Sequence, residues 1–377
     1  MRIAFCIRPG YDNPLGGDAI QMLKTKEYLE KYFMIKIDIV TRTNEISIEH
    51  KIVHVFNFST YKNSVEFIRK AKSLKIPVVS SSIFWDYTFD STKKLFFLLS
   101  KKPYLEEKEI LKYKRIMNYV GLFSPRPLGV SRVFRKKAKW MFENSDIVAP
   151  NSEEEGELLL KWINKKKSDK IRVVYNATDI ANNLYDLDIT ENEILAKYNL
   201  PQNYILQVGR IEYCKNQLNL VAALMKENKI PIVFVGKIVD DKYFDKLNKL
   251  AQKRGNVFFI NAVPYSEIRA FYKFAKLHVL LSLRESPGLV SIEALANNCP
   301  IVISDKRFLP LNTYFSNQPY VANPLDITEI EKVVLDAYKH GKTSSFDFQQ
   351  FSWTNVANQT FNIYQELLMH EINQKNE

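Results

Sequence analysis

LHVLLSLRESPGLVSIEALANNCPIVIS, residues 277–304, decides the fold. The apolar run 277–281 is too short for a helix and suits a strand buried on both faces. A loop with Ser282, Glu285, Pro287 and Gly288 follows, then an apolar stretch of helical length, then a second buried run at 300–304. Strand, crossover helix and strand make a parallel βαβ unit, the building block of a sheet covered on both faces. In such sheets ligands bind beyond the carboxyl ends of the strands, so residues 282–290 line that crevice. Pro287 suits the first turn of the helix, and Gly288 lets a ligand approach the backbone. The amides of Gly288, Leu289 and Val290 would then offer a helix N-terminus to an anion. Glu293, about one turn further in, is within reach of a diol, and Glu285 faces the crevice itself. Anion, diol and a second hydroxylated group together describe a nucleotide sugar.

The alternation extends outward from this stretch. Short β-branched runs at 204–209, 231–236 and 256–260 precede it, and an earlier series occupies 2–8, 35–40, 52–56, 77–81, 146–149 and 171–175. Amphipathic stretches such as 18–32 and 63–73 read as the helices between them. Two such series predict an α/β chain of two Rossmann-like domains, 1–178 and 179–352, joined within the polar 177–200. Segment 93–143 does not alternate and reads as a helical insert of the first domain. The helix at 353–377 either finishes the second domain or crosses back to brace the first.

With 377 residues, 46% hydrophobic and 13% aromatic, the chain can bury two cores, which excludes wholesale disorder. The start, MRIAFCIRPG, reads as a first strand rather than a signal peptide, and no uncharged run approaches the ~18 residues of a spanning helix. Cys6, Cys214 and Cys299 show neither metal spacing nor a disulfide framework, which fits a reducing cytoplasm. The net charge of +12 arises within residues 1–150, which carry 27 Lys+Arg against 15 Asp+Glu. Residues 93–139 alone hold 14 basic and three acidic residues, so the excess points to a partner of that region.

The crevice should also receive VGRIEYCKNQ, 208–217. There Arg210 can fork two phosphate oxygens and Lys215 can add a compact charge. In the first domain, Gly16 and Gly17 before the helix at Asp18 make a second backbone surface suited to phosphate or sugar. With Gly209-Arg210…Lys215, Ser282…Glu285, and Glu285 eight residues before Glu293 in EALANNCPIVISD, the chain resembles a retaining glycosyltransferase of the GT-B architecture. The likeness is to family 4, glycosyl transferases group 1, with echoes in VVYNATD (173–179), FFINAVPYSEIRAFYKFA (258–275) and FSWTNVANQTFNIYQELL (351–368).

That resemblance implies two domains facing each other across a cleft, the acceptor held by the first and a UDP- or GDP-linked sugar by the second. It implies Arg210 and Lys215 on the donor diphosphate, Glu285 on the transferred sugar, the 288–290 amides on the distal phosphate and Glu293 on the ribose. Catalysis would stabilise charge growing on the leaving diphosphate, without a metal or resident cofactor. The acceptor would be a glycan, lipid-linked or another surface-polysaccharide precursor, at the inner membrane face. One position departs from the family, whose members often carry a histidine after the fourth strand of the first domain. In PVVSSSIFWDYT (77–88), Ile83 lies near it; either Ser82, Trp85 or Asp86 takes over the contact with the sugar, with Asp86 the catalytic candidate, or the group is dispensable.

Singly, these residues have plainer readings. Gly-Gly before a helix is turn chemistry, Glu293 is a charge favoured near a helix N-terminus, and Arg210 and Lys215 are surface cations. Joint placement at strand ends is what points to a donor site. Asp240-Asp241 starts a helix more readily than it holds a metal, and His54 is either a cleft group or a satisfied core histidine. The basic insert is a solvated face, a nucleic-acid surface or an interfacial one. It shows no groove-reading motif, whereas Leu95–Leu99 lie beside lysines. Lys94, Lys101, Lys102, Arg135 and Lys136 are therefore expected to meet the acceptor or an anionic membrane, not nucleic acid. Two rivals keep the architecture: a nucleotide-sugar 2-epimerase, to which Asp12 and Asp86 offer carboxylates, and a non-catalytic transferase-like binding module.

Overall fold

Five of the six apolar runs in the first series become strands: β1 (Arg2–Cys6), β2 (Lys36–Val40), β3 (Ile52–Phe56), β4 (Val78–Ser81) and β5 (Ile147–Ala149). They pair in parallel in the order β2-β1-β3-β4-β5. The computed structural model describes residues 1–12, 16–86, 104, 106–111, 132–178, 190–343 and 345–376. It divides into two units, Met1–Trp85 with Val130–Ala181 and Asp347–Glu377, and Asp86–Gly129 with Asn182–Phe346.

In the first unit, α1 (Gly17–Tyr32), α2 (Tyr61–Ser73), α3 (Arg132–Asn144) and α4 (Glu153–Trp162) link the strands. All residues of β3, β4 and β5 are buried, as a sheet covered on both faces requires. The predicted strand at 171–175 makes one bridge, Ile171 to Val148; Val174 donates to the Pro150 carbonyl, but Pro150 has no amide hydrogen to return a bond and extend the ladder. Of the two places open to the helix Trp353–Asn376, it takes the first unit. Trp353, Val356, Ala357 and Tyr364 join the core beside Phe5 and Phe56, each large side chain contributing roughly 1.5–3 kcal/mol by burial. Phe361 stacks on Phe33 at 4.0 Å, and Arg172 donates to both oxygens of Glu366.

The second unit holds β6 (Ile205–Val208), β7 (Ile232–Val235), β8 (Val257–Ile260), β9 (Leu277–Leu280), β10 (Ile301–Ser304) and β11 (Val321–Ala322). Their parallel order is β11-β10-β9-β6-β7-β8. The direction of winding reverses between β6 and β9, which makes their carboxyl ends the topological switch point. Around the sheet lie α5 (Glu191–Tyr198), α6 (Gln217–Ala223), α7 (Asp241–Arg254), α8 (Tyr265–Phe274), α9 (Leu289–Ala296), α10 (Leu311–Phe315) and α11 (Ile327–His340). Asp240 accepts from the Tyr243 amide at 3.1 Å and so caps α7, worth about 1 kcal/mol.

The insert divides differently from the expectation. Among the described residues, 104 and 106–111 group with the second unit and α3 with the first, although the spacing assigns all of 93–143 to the first domain. The cause is an anchor. Ile110 is 2% exposed in the second unit's core, and the Glu107 carboxylate accepts from Arg307 at 2.7 Å and Asn323 at 2.8 Å. The Glu107 amide donates to the Leu325 carbonyl at 3.1 Å. No helix among the described residues is long and apolar enough to cross a membrane.

Candidate functional site

The switch point of the second unit is built first from glycine. Gly209 at the end of β6 has φ +141° and Gly236 after β7 has φ +150°, backbone that side chains strain. A Cβ on Gly236 would run into the Gly209 carbonyl, so the two strand ends touch only because Gly236 lacks one. Arg210 follows, half exposed, with its guanidinium 2.8 Å from Glu212. Asn216 ends the turn at φ +57°, its amide nitrogen donating to the carbonyls of Leu281 and Pro324 at 3.0 and 2.8 Å. Gln207 donates to the Lys215 carbonyl at 2.7 Å. Lys215 is thus held by its main chain, and its stem lies against Gly209.

The loop after β9 meets it. Leu283 donates its amide to the Cys214 carbonyl and Glu285 to the Phe308 carbonyl, both at 2.8 Å. These bonds tie the exits of β6, β9 and β10 into one rim. Lys215 Nζ and Glu285 Oε1 lie 2.5 Å apart, with the side chains 16% and 10% exposed. Glu285 packs against Gly288, which caps α9 at φ +95°. Pro287 therefore precedes the cap and does not sit in the first helical turn. The amide cradle stays in place, because the first-turn amides of Leu289 and Val290 have no acceptor within the helix. Glu293 is half-buried in the second turn and accepts from the Tyr272 hydroxyl at 2.9 Å.

The structure thus brings Arg210, Lys215, Glu285, Gly288, Leu289, Val290 and Glu293 together in the second unit. The other expected residues divide. Gly17 is the first residue of α1 in the first unit, where Asp18 in the same turn is buried and accepts from Asn57 at 3.0 Å. Arg135 donates to the Trp162 carbonyl and to Asn164, both at 2.5 Å, so it closes the end of α4. Lys136 is exposed on α3, while Lys94, Lys101 and Lys102 lie outside the described residues. His54 is the satisfied core histidine of the two readings. It is buried between Tyr364 Oη at 2.6 Å and Ser81 Oγ at 2.9 Å, and burial lowers its pKa to about 3.

The exit of β4 holds a feature that the residue pattern does not announce. Glu155 is fully buried and accepts from Ser82 Oγ, from the Phe84 amide at 2.9 Å and from the Asn151 amide at 3.3 Å. Between Ser82 and Phe84, Ile83 takes φ +43°, which a β-branched residue adopts only where its surroundings enforce it. Ser82 is committed to that clamp and Trp85 is buried, leaving half-buried Asp86 as the more accessible of the three candidates.

Residues 190–344 match the family model described as glycosyl transferases group 1. The chain is 29% identical over 188 residues to the O-antigen chain mannosyltransferase B of Escherichia coli, covering 46% of this chain and 49% of that one. It is 27% identical over 214 residues to an uncharacterized glycosyltransferase of Methanocaldococcus jannaschii, covering 52% of this chain and 54% of that one. The matches therefore span about half the length of these relatives. The fold superposes on the sucrose-phosphate synthase of Thermosynechococcus elongatus with a TM-score of 0.70 at 15% identity, over 98% of this chain and 100% of that one. Anabaena HepE in complex with UDP and glucose also gives 0.70 at 15%, over 97% and 100%. These likenesses establish the fold as that of GT-B glycosyltransferases, with two Rossmann-like domains.

Proposed function

We propose that the chain is a retaining glycosyltransferase that moves a hexose-type sugar from a nucleoside diphosphate to a glycan acceptor. The observation that carries this reading is the rim at the β6/β9 switch point. There Lys215 pairs with Glu285, Glu285 packs against the glycine that caps α9, and Glu293 lies in the second turn of that helix. A pyrophosphate suits the two cations and the first-turn amides, Glu285 suits the sugar beyond it, and Glu293 suits the ribose. The match of 190–344 to group 1 transferases and the UDP complexes of a protein of like fold support it.

In this mechanism the protein binds the developing charge more strongly than the starting ester. Arg210, Lys215 and the amides of Leu289 and Val290 stabilise the diphosphate as the glycosidic bond lengthens. The leaving phosphate takes the acceptor's proton on the same face, so the anomeric configuration is retained and no divalent cation is needed. Asp86, just after the exit of β4, is the further candidate to touch the sugar. The acceptor we propose is a lipid-linked or surface-polysaccharide precursor, in keeping with the O-antigen relative, with the basic surface of residues 93–139 toward an anionic membrane.

Purified protein incubated with UDP- and GDP-sugars and a lipid-extract acceptor tests the reading. Donor-dependent transfer with the anomer retained is the expected result. Nucleotide binding without transfer would replace the enzyme with a binding module, and an inverted product would remove the retaining mechanism.

A further inference from the structure

We infer that Tyr272 is a positioning residue for the donor's ribose: its hydroxyl orients the Glu293 carboxylate and so gives the site its preference for a ribonucleoside diphosphate over the dideoxy counterpart. The inference rests on the donor reading above and adds to it a group that touches no donor atom.

Two helices meet at the back of the site. Arg269 and Tyr272 lie one turn apart on α8, and Glu293 and Asn297 lie one turn apart at α9 and its end. They pair in register. Tyr272 Oη donates to Glu293 Oε2 at 2.9 Å, and Arg269 Nε donates to Asn297 Oδ1 at 3.0 Å. The Asn297 amide group also donates to the Glu293 carbonyl at 2.9 Å, fixing the backbone that carries the acid.

Tyr272 is fully buried whereas Glu293 is half-buried, so the phenol approaches the carboxylate from the protein side. The ring cannot swing away easily, because it packs against His278 of β9 at an interplanar angle of 70°, with centroids 5.5 Å apart. That histidine is itself buried and neutral. A phenol is a neutral donor. It directs the carboxylate without cancelling the charge that two ribose hydroxyls would seek, as a lysine or arginine there would do. A diol must be met by an acid in one plane, and a glutamate held only by its own rotamers would lose that plane part of the time.

Tyr272→Phe removes one oxygen and keeps the packed ring. Wild type and variant would be titrated calorimetrically with UDP, GDP, their 2′,3′-dideoxy counterparts and inorganic pyrophosphate. We expect the preference for ribose over dideoxyribose to fall about tenfold in the variant, with pyrophosphate affinity unchanged. Arg269→Ala, which removes the bond to Asn297 and keeps the Tyr272 hydroxyl, should retain the preference. In a Glu293→Ala background, Tyr272→Phe should change nothing further, a comparison that holds even if each variant melts somewhat earlier. The inference is overturned if Tyr272→Phe keeps the full preference, if it weakens pyrophosphate equally, or if Arg269→Ala reproduces its effect. A wild type with no preference for ribose would instead remove the Glu293 assignment, and the inference with it, so the two failures are read separately.

Discussion

Lys215→Met offers the sharpest test of the rim. Methionine keeps the stem that lies against Gly209 and deletes the charge that stands 2.5 Å from Glu285. At an effective dielectric of about 20, two unit charges at that distance attract by roughly 6–7 kcal/mol before desolvation is counted. With side chains 16% and 10% exposed, desolvation cancels much of this, and stranding one partner of such a pair costs about 3 kcal/mol net. For a diphosphate the variant loses one charge-assisted contact, about 1.5–3 kcal/mol, or roughly 10- to 150-fold in Kd. Glu285→Gln should act with the opposite sign on the bare nucleotide. It removes the carboxylate that competes for Lys215, so UDP or GDP binds at least as tightly, while sugar transfer falls by orders of magnitude. Calorimetric titration and a transfer assay read both effects. If Lys215→Met bound the wild type's preferred nucleotide within twofold, the diphosphate assignment would be wrong.

Further outcomes follow from the same contacts. Glu155→Ala leaves Ser82 Oγ and the amides of Phe84 and Asn151 buried without their acceptor, and should destabilise the first unit by about 3 kcal/mol or more in chemical denaturation; an unchanged midpoint would refute the clamp. Burial holds the folded pKa of His54 and of His278 down to about 3, from 6.5 when unfolded. The unfolded chain thus binds more protons between these values, so the stability present above pH 6.5 is lost as pH falls toward 3, by up to about 1.4 kcal/mol per pH unit for each histidine. His54→Gln should flatten the slope of melting temperature against pH over pH 4–6, and an identical slope would contradict it. Transfer should persist in a chelator; loss restored by manganese or magnesium would end the metal-free mechanism. Binding to anionic liposomes should weaken with added salt, and salt-insensitive binding would count against the basic surface.

The strands could be read because each is a continuous apolar run, the signature of a parallel sheet buried on both faces. The rim could be read because Gly209, Lys215, Glu285, Gly288 and Glu293 sit at the ends of two such runs, and topology alone brings those ends together. What escaped depends on contacts between distant segments. Tyr272 reaches Glu293 through the packing of α8 on α9, which periodicity shows as a buried face without naming the partner. Glu155 lies in EEEGE, a run that resembles a solvated helix start, and its burial depends on Ser82 far away in the chain. Ile110 and Glu107 carry their segment onto the second unit by a carbonyl and two side chains more than 190 residues away, which no local pattern reveals. β11 is two residues long, too short for any alternation to register.

The placement of Trp353–Asn376 on the first sheet bears on the protein's birth at the ribosome. Synthesis runs through Ala181 and the whole of the second unit before that helix emerges. At cellular rates of about 5–20 residues per second, the delay is roughly ten to thirty seconds. Throughout it the first lobe to be translated keeps Phe5, Phe56 and their neighbours without the cover of Trp353 and Tyr364. The lobe begun first is therefore the one finished last, and a nascent chain stalled before residue 353 should carry a finished second lobe beside a sticky, chaperone-seeking first one.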